Sequence, residues 1–234
     1  SGNIVLIESD AGLESGFENQ AYIESGAKIV NKKALFENAE LIVKVKEPLE
    51  EEFGLFSENQ AIFAYLHLAA NQKLTKFLLE RKITAFAYET LEKDSELPLL
   101  QPMSEIAGKM APLVGAFYLQ RQYGGLGQLA SGMLGVRPCK ALILGAGNVG
   151  SNAAKIAFSL GMDTYVLNRS LDKLKRIDEL FNGRVKTLPL KIATIMEEIR
   201  DTDIVIGAVY TVGGRTPILI KRDMLKIMKK GSII

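Results

Sequence analysis

The chain has 234 residues, of which 47% are hydrophobic and 24% charged, with a formal net charge of +2 at pH 7. That length and composition suit an ordinary globular chain with a real core, and two domains are the expectation. Lys and Arg interleave with Asp and Glu, which excludes a basic block for a nucleic acid; the single Cys139 excludes an internal disulfide and a cysteine-based metal site.

The first half alternates strand-like and helix-like stretches. "NIVLIE", "AKIV", "LIVKVK", "AIFAYLH" and "ITAFAYET" read as strands, and "ENQAYIESG", "KKALFENA" and "NQKLTKFLLERK" as helices. Such alternation argues for parallel pairing through right-handed crossovers. "LEKDSELPLLQP" is polar and proline-containing and reads as a linker. A long helix, "PMSEIAGKMAPLVGAFYLQRQYG", is expected next, with Pro102 in its first turn and Pro112 kinking it.

After the glycine-rich "GGLGQLASGMLGV" the alternation restarts as "KALILG", helix, "DTYVLN", helix, "RVKTLPL", helix, "DIVIGAVY", helix, "GSII". The expected fold is α/β, with two doubly wound Rossmann-like domains joined by the long helix and an interdomain cleft. Residues 1–98 form the substrate domain in this reading and 99–234 the dinucleotide-binding domain. No run reaches the roughly 18 apolar residues that span a bilayer, so neither membrane nor nucleic acid is an expected partner and the expected setting is the cytoplasm. The chain opens inside a strand without a methionine and closes where another strand begins, so both ends are expected to be cut.

"ALILGAGNVGSNAAK" places Gly145, Gly147 and Gly150 between a strand and a helix. In a dinucleotide site Gly145 makes the tight turn, Gly147 lets the backbone approach the pyrophosphate and Gly150 lets helix and strand pack closely. Asn148, Val149 and, at the end of "DIVIGAV", Val209 are expected to line the same cofactor. The alternative is a plain strand-to-helix turn. At the end of the second strand, "TYVLNRS" has Asn168 where a plain NAD site has an acidic residue. Asn168 would not repel a 2′-phosphate, and Arg169, Ser170 and Lys173 could bind one, so NAD with NADP possible is the cofactor expectation. Arg169 and Lys173 can equally be solvated charges at a helix start.

In "LIVKVK", Lys44 and Lys46 share one strand face, with Lys46 at the carboxyl end before Pro48. His67, the only histidine, ends "AIFAYLH". Open α/β sheets bind ligands beyond the carboxyl ends of their strands, so Lys46 and His67 could meet. A histidine in an apolar run is otherwise a core residue, although an ordinary pKa of about 6.5 suits it to proton transfer.

At "ELIVKVKEP", "AIFAYLHLAA", "PLLQPMSEIAGKMA", "LILGAGNVGSNAAKIA" and "DIVIGAV" the chain resembles the alanine dehydrogenase family, in collinear order over nearly its whole length. The resemblance implies a hexameric two-domain enzyme that interconverts alanine and NAD with pyruvate, ammonia and NADH. It implies that Lys46 holds the substrate carboxylate or carbonyl, that His67 exchanges a proton with substrate, and that Ser104 touches the cofactor phosphates; Ser104 also reads as a helix-start cap. The family's carboxylate-binding arginine and catalytic aspartate match no residue of this chain, Leu190 stands for a polar residue, and Lys230 for a proline. Two further readings therefore stand beside the enzyme: a non-catalytic dinucleotide-binding fragment, and a relative of the NAD-binding subunit of a transhydrogenase, which has no need of the Lys46 and His67 pair.

Overall fold

The computed structural model of the chain describes all residues except Ser1, Ser95 and Val212. Ser95, in the stretch expected as a linker, thus lies outside the described residues. The chain divides after Leu97 into two compact units.

The first unit contains β1 (Leu6–Glu8), α1 (Asn19–Glu24), β2 (Lys28–Val30), α2 (Lys32–Asn38), β3 (Leu41–Val43), β4 (Ala61–Ala64), α3 (Gln72–Glu80) and β5 (Thr84–Ala87). β1 pairs with β2, and β3, β4 and β5 form a second sheet with β4 in the middle; every pairing is parallel. Asparagine side chains cap two of the helices, since Asn31 accepts the Ala34 N–H at 2.8 Å and Asn71 the Leu74 N–H at 3.1 Å. Leu74, Phe77 and Leu78 of α3 have the i, i+3, i+4 spacing of one helix face and are buried with Phe36, Ile42, Phe56, Ile62 and Leu66.

In the second unit come α4 (Leu100–Tyr118), β6 (Lys140–Leu144), α5 (Asn148–Ser159), β7 (Asp163–Asn168), α6 (Leu171–Phe181), β8 (Lys186–Pro189), α7 (Ile192–Glu198) and β9 (Ile204–Gly207). The parallel sheet has the order β8-β7-β6-β9, with Ile233 adding a bridge beside Ile204. β6 is buried throughout, as a central parallel strand covered on both faces must be. Its side chains alternate between two cores: Ala141 and Ile143 join Ala153, Ala154 and Ala157, whereas Leu142 and Leu144 join Leu167, Ile195 and Ile199.

α4 runs unbroken through Pro112 and belongs wholly to the second unit. Leu100, Ser104, Gly108, Pro112 and Gly115 form its buried face. A Cβ at Gly108 would lie 2.4 Å from the Val149 carbonyl oxygen, so only glycine lets α4 and α5 approach this closely. The helix expected after β9 is instead a short 3-10 turn, Met224–Ile227. Gly213, Gly214 and Pro217 precede it, and they favour turns over a continuous helix.

An ion network closes the amino-terminal edge of this sheet. The Lys140 ammonium donates to Glu198 Oε2 and Asp201 Oδ1, both at 2.6 Å, and Lys229 donates to Asp203 Oδ1 at 2.6 Å. Burial alone would lower the Lys140 pKa, but the bonds from Asp201 and Glu198 hold it above its ordinary value. Among the described residues no helix is long and apolar enough to cross a membrane.

Candidate functional site

From β6 the chain steps outward to β7 and β8 and then crosses back to β9 on the other side of β6, so the strand order reverses beside β6, and the glycine loop sits at its carboxyl end. This is the switch point where doubly wound sheets bind ligands. Gly145 has φ +120°, and a Cβ there would lie 2.4 Å from the Ala208 carbonyl oxygen and 3.2 Å from the Val209 nitrogen. A Cβ on Gly150 would fall 1.9 Å from the Gly145 carbonyl oxygen. Both glycines are therefore fixed by close packing at the ends of β6 and β9.

Gly147 differs: a Cβ there would meet nothing within 4 Å. It is the N-cap of α5 and brings no side chain to the helix's free N–H groups. The opening N–H groups of a helix have no partner within it and attract anions. Asn148 and Val149 form that first turn, and Val209 lies against Gly145 from the end of β9. Open space over an uncapped helix start fits a phosphate group.

Asn168 ends β7, but its side chain turns to the loop instead of standing free. Its Oδ1 accepts the Ala146 N–H and its Nδ2 donates to the Ser170 carbonyl, both at 3.2 Å. Ser170 caps α6 by accepting the Lys173 N–H at 3.3 Å. Arg169 and Lys173 are exposed beside it. Ser104 is the fifth residue of α4 and one turn before Gly108, on the buried face that packs against α5. A cap precedes the first turn, so Ser104 does not cap this helix.

In the first unit, Lys44 and Lys46 part company. Lys44 Nζ donates to Glu52 Oε2 at 2.5 Å, while the Leu49 N–H donates to the same oxygen at 2.8 Å and Lys32 lies 3.6 Å from Oε1. Burial alone would raise the Glu52 pKa, but these bonds and charges hold it below its ordinary value. Lys46 is exposed, and no ion pair or hydrogen bond involves its ammonium among the described residues.

His67 follows β4 and is exposed, so it is not a core residue. Its backbone has φ +49°, in the left-handed region that a histidine occupies at a cost. The parallel ladder carries on past the regular strands, with the Tyr65 N–H donating to the Val45 carbonyl at 3.0 Å. Lys46 and His67 therefore emerge from the carboxyl ends of neighbouring strands. A third strand contributes a residue that sequence reasoning missed: Glu89, just beyond β5, is 5% exposed. Its carboxylate accepts the Leu66 N–H at 3.1 Å on Oε1 and 3.2 Å on Oε2, and the His67 N–H at 2.6 Å on Oε1. Tyr65 stands against Tyr88 with ring centroids 5.0 Å apart. Cys139 is buried, which pushes its thiol up to about 12 and leaves it no part in this chemistry.

The sheet order and the glycine loop at its switch point define a doubly wound, Rossmann-like α/β protein. The chain belongs to the alanine dehydrogenase/PNT family: the model of that family's N-terminal domain matches residues 1–107 and that of its C-terminal domain residues 111–234. It is 46% identical over 234 residues to an alanine dehydrogenase of Staphylococcus saprophyticus, covering 100% of this chain and 63% of that protein. The chain thus spans less than two thirds of that relative. Among solved structures, an L-alanine dehydrogenase superposes with a TM-score of 0.87 at 42% identity, over 99% of this chain and 65% of that one. A transhydrogenase from Sinorhizobium meliloti superposes with a TM-score of 0.81 at 24% identity, over 99% and 68% respectively, and shares the fold.

Proposed function

We propose that the chain forms the substrate-handling and dinucleotide-holding parts of an alanine dehydrogenase, which oxidatively deaminates L-alanine to pyruvate and ammonia with NAD. The observation that carries this reading is the emergence of an exposed lysine, unpaired among the described residues, and an exposed histidine from adjacent parallel strands. That pair has no role in a module that only binds a dinucleotide, and it disfavours the transhydrogenase reading as well.

In the second unit Gly147, Asn148, Val149 and Gly150 would hold the pyrophosphate, with Ser104 and Val209 beside them and Asn168, Arg169 and Lys173 toward the adenosine ribose. When bound, the nicotinamide supplies a hydride acceptor for the substrate Cα. In the first unit the Lys46 ammonium pairs with the substrate carboxylate or carbonyl and fixes its orientation. His67 takes a proton at its imidazole as alanine is oxidised and returns one in the reverse direction. Arg169, Ser170 and Lys173 support relaxed use of NADP beside NAD. Met103, Ile106, Met110, Leu113 and Phe117 form an exposed apolar stripe on α4, which supports a homo-oligomer. A cytoplasmic enzyme without nucleic-acid or membrane partners completes the reading.

The test is a spectrophotometric assay of the intact gene product with alanine and each of NAD and NADP. Alanine-dependent reduction of the dinucleotide is the expected result. Tight dinucleotide binding without turnover on any small amino acid would instead favour the non-catalytic module.

A further inference from the structure

We infer that Glu89 is a positioning residue for His67, acting through the backbone and not through the imidazole. The inference rests on the reading of His67 as the proton-exchanging group. Three facts combine. Glu89 is 5% exposed and its carboxylate spends both oxygens on consecutive N–H groups, those of Leu66 and His67. Those two residues lie where β4 ends and the chain turns. His67 itself holds φ +49°.

A parallel strand that runs past its neighbour leaves N–H groups without a ladder partner, and buried N–H groups must be satisfied. β5 pairs with β4 only as far as Ala64 and Ala87. The side chain of Glu89, two residues further, supplies acceptors where the β5 backbone no longer does. Its contact with the His67 N–H, at 2.6 Å, is the shortest of the three. It holds the His67 peptide plane, and so the direction of the His67 Cα–Cβ bond, in a conformation that a histidine adopts at a cost. Loss of the acceptor frees this turn to relax to negative φ, which swings the imidazole away from the strand end that carries Lys46.

This account makes reach, not charge, the property that matters. Oε1 by itself accepts from both N–H groups, so a glutamine with its oxygen there keeps those two bonds and loses only the 3.2 Å contact of the Leu66 N–H with Oε2, whereas an aspartate keeps the charge but is one methylene too short. The experiment compares Glu89→Gln, Glu89→Asp and Glu89→Ala in the intact gene product. Three readouts are taken: alanine oxidation, dinucleotide affinity, and the NMR signal of the His67 imidazole, assigned by its loss in His67→Gln. Glu89→Gln should keep kcat within about fivefold, while Glu89→Asp and Glu89→Ala lower it by roughly 10–10²-fold, the scale of an ångström-sized misplacement. Dinucleotide affinity should be unchanged in all three, and the imidazole signal should shift in the Asp and Ala variants only. A fall of kcat in Glu89→Gln as large as in Glu89→Asp, with the imidazole signal unmoved, would overturn the proposal in favour of a role for the charge. An imidazole signal unmoved in Glu89→Asp overturns it too, whether or not Glu89→Ala folds. Should the wild-type protein lack alanine activity altogether, the functional reading fails, and the imidazole signal still decides whether Glu89 sets His67.

Discussion

Replacing His67 should separate activity from stability. The side chain is exposed, and surface substitutions of that kind move stability by no more than about 0.5 kcal/mol. The backbone term is larger: at φ +49° a side chain with a Cβ costs about 1–2 kcal/mol that glycine does not pay. Glycine also loosens the unfolded chain, which costs about 0.4–1 kcal/mol. His67→Gly should therefore leave stability unchanged or raise it by up to about 1.6 kcal/mol, and His67→Ala should lie within about 0.5 kcal/mol of wild type. Turnover should fall about 10²–10⁴-fold in both if His67 moves the proton. That is a barrier increase of roughly 2.7–5.4 kcal/mol, at about 1.36 kcal/mol per decade of rate. Urea denaturation and initial rates of alanine oxidation on the intact gene product measure the two quantities side by side. A His67→Gly protein that is destabilised by more than about 2 kcal/mol and still turns over would refute the reasoning, because His67 would then be a packing residue.

The glycine loop offers a paired test. Gly147→Ala should lose only the modest stability of a poorer N-cap, since its Cβ meets open space, but should weaken NAD binding at least about tenfold by occupying the approach to the pyrophosphate; Gly150→Ala should unfold more readily, with its Cβ driven against the Gly145 carbonyl. Calorimetric titration and thermal melting read the two effects, and equal loss of stability in both variants would contradict the distinction. For the cofactor, Asn168→Asp keeps an acceptor for the Ala146 N–H while adding a charge that repels a 2′-phosphate, so the NAD over NADP affinity ratio should rise; an unchanged ratio would mean that the adenosine ribose lies elsewhere. Glu52 has its pKa held below the ordinary value, so its ion pair with Lys44 stabilises the fold above about pH 4.5 and loses that contribution as pH falls through the lowered value. Glu52→Gln should accordingly flatten the acid limb of stability against pH, and an acid limb as steep as in wild type would remove Glu52 from that account.

Much of this was legible in the sequence, because the strongest signals are local. "DTYVLN" is β7 residue for residue, and "KALIL" reads as a buried parallel strand because its apolar run leaves no solvent face. The three glycines announce a turn whose close approaches are backbone geometry and little else. "LIVKVK" promised a longer strand than Leu41–Val43, and ladder bonds do continue to Val45 beyond the regular strand, but that Lys44 turns to Glu52, eight residues on, no periodicity reveals. Asn168 was read for its effect on a ribose, whereas its amide is spent on Ala146 and Ser170; sequence does not tell which way a short side chain turns. Glu89 escaped notice for a related reason. A lone glutamate in "AYET" has no motif, and its meaning appears only when β5 is known to lie beside the strand that ends in His67. The one available signal was a charged residue at the end of a third apolar run.

The contact at Gly108 has a mechanical consequence. Two packed helices are ordinarily cushioned by interlocking side chains at axis separations of about 8–10 Å, and those side chains can change rotamer to absorb a small displacement. Where Gly108 meets the Val149 carbonyl that cushion is missing. Val149 belongs to the opening turn of α5, so a strain on α4 passes to the turn beside the glycine loop with nothing soft between. α4 thus meets the first turn of α5 backbone to backbone, and the position of that turn's N–H groups is set as much by α4 as by the loop that precedes them.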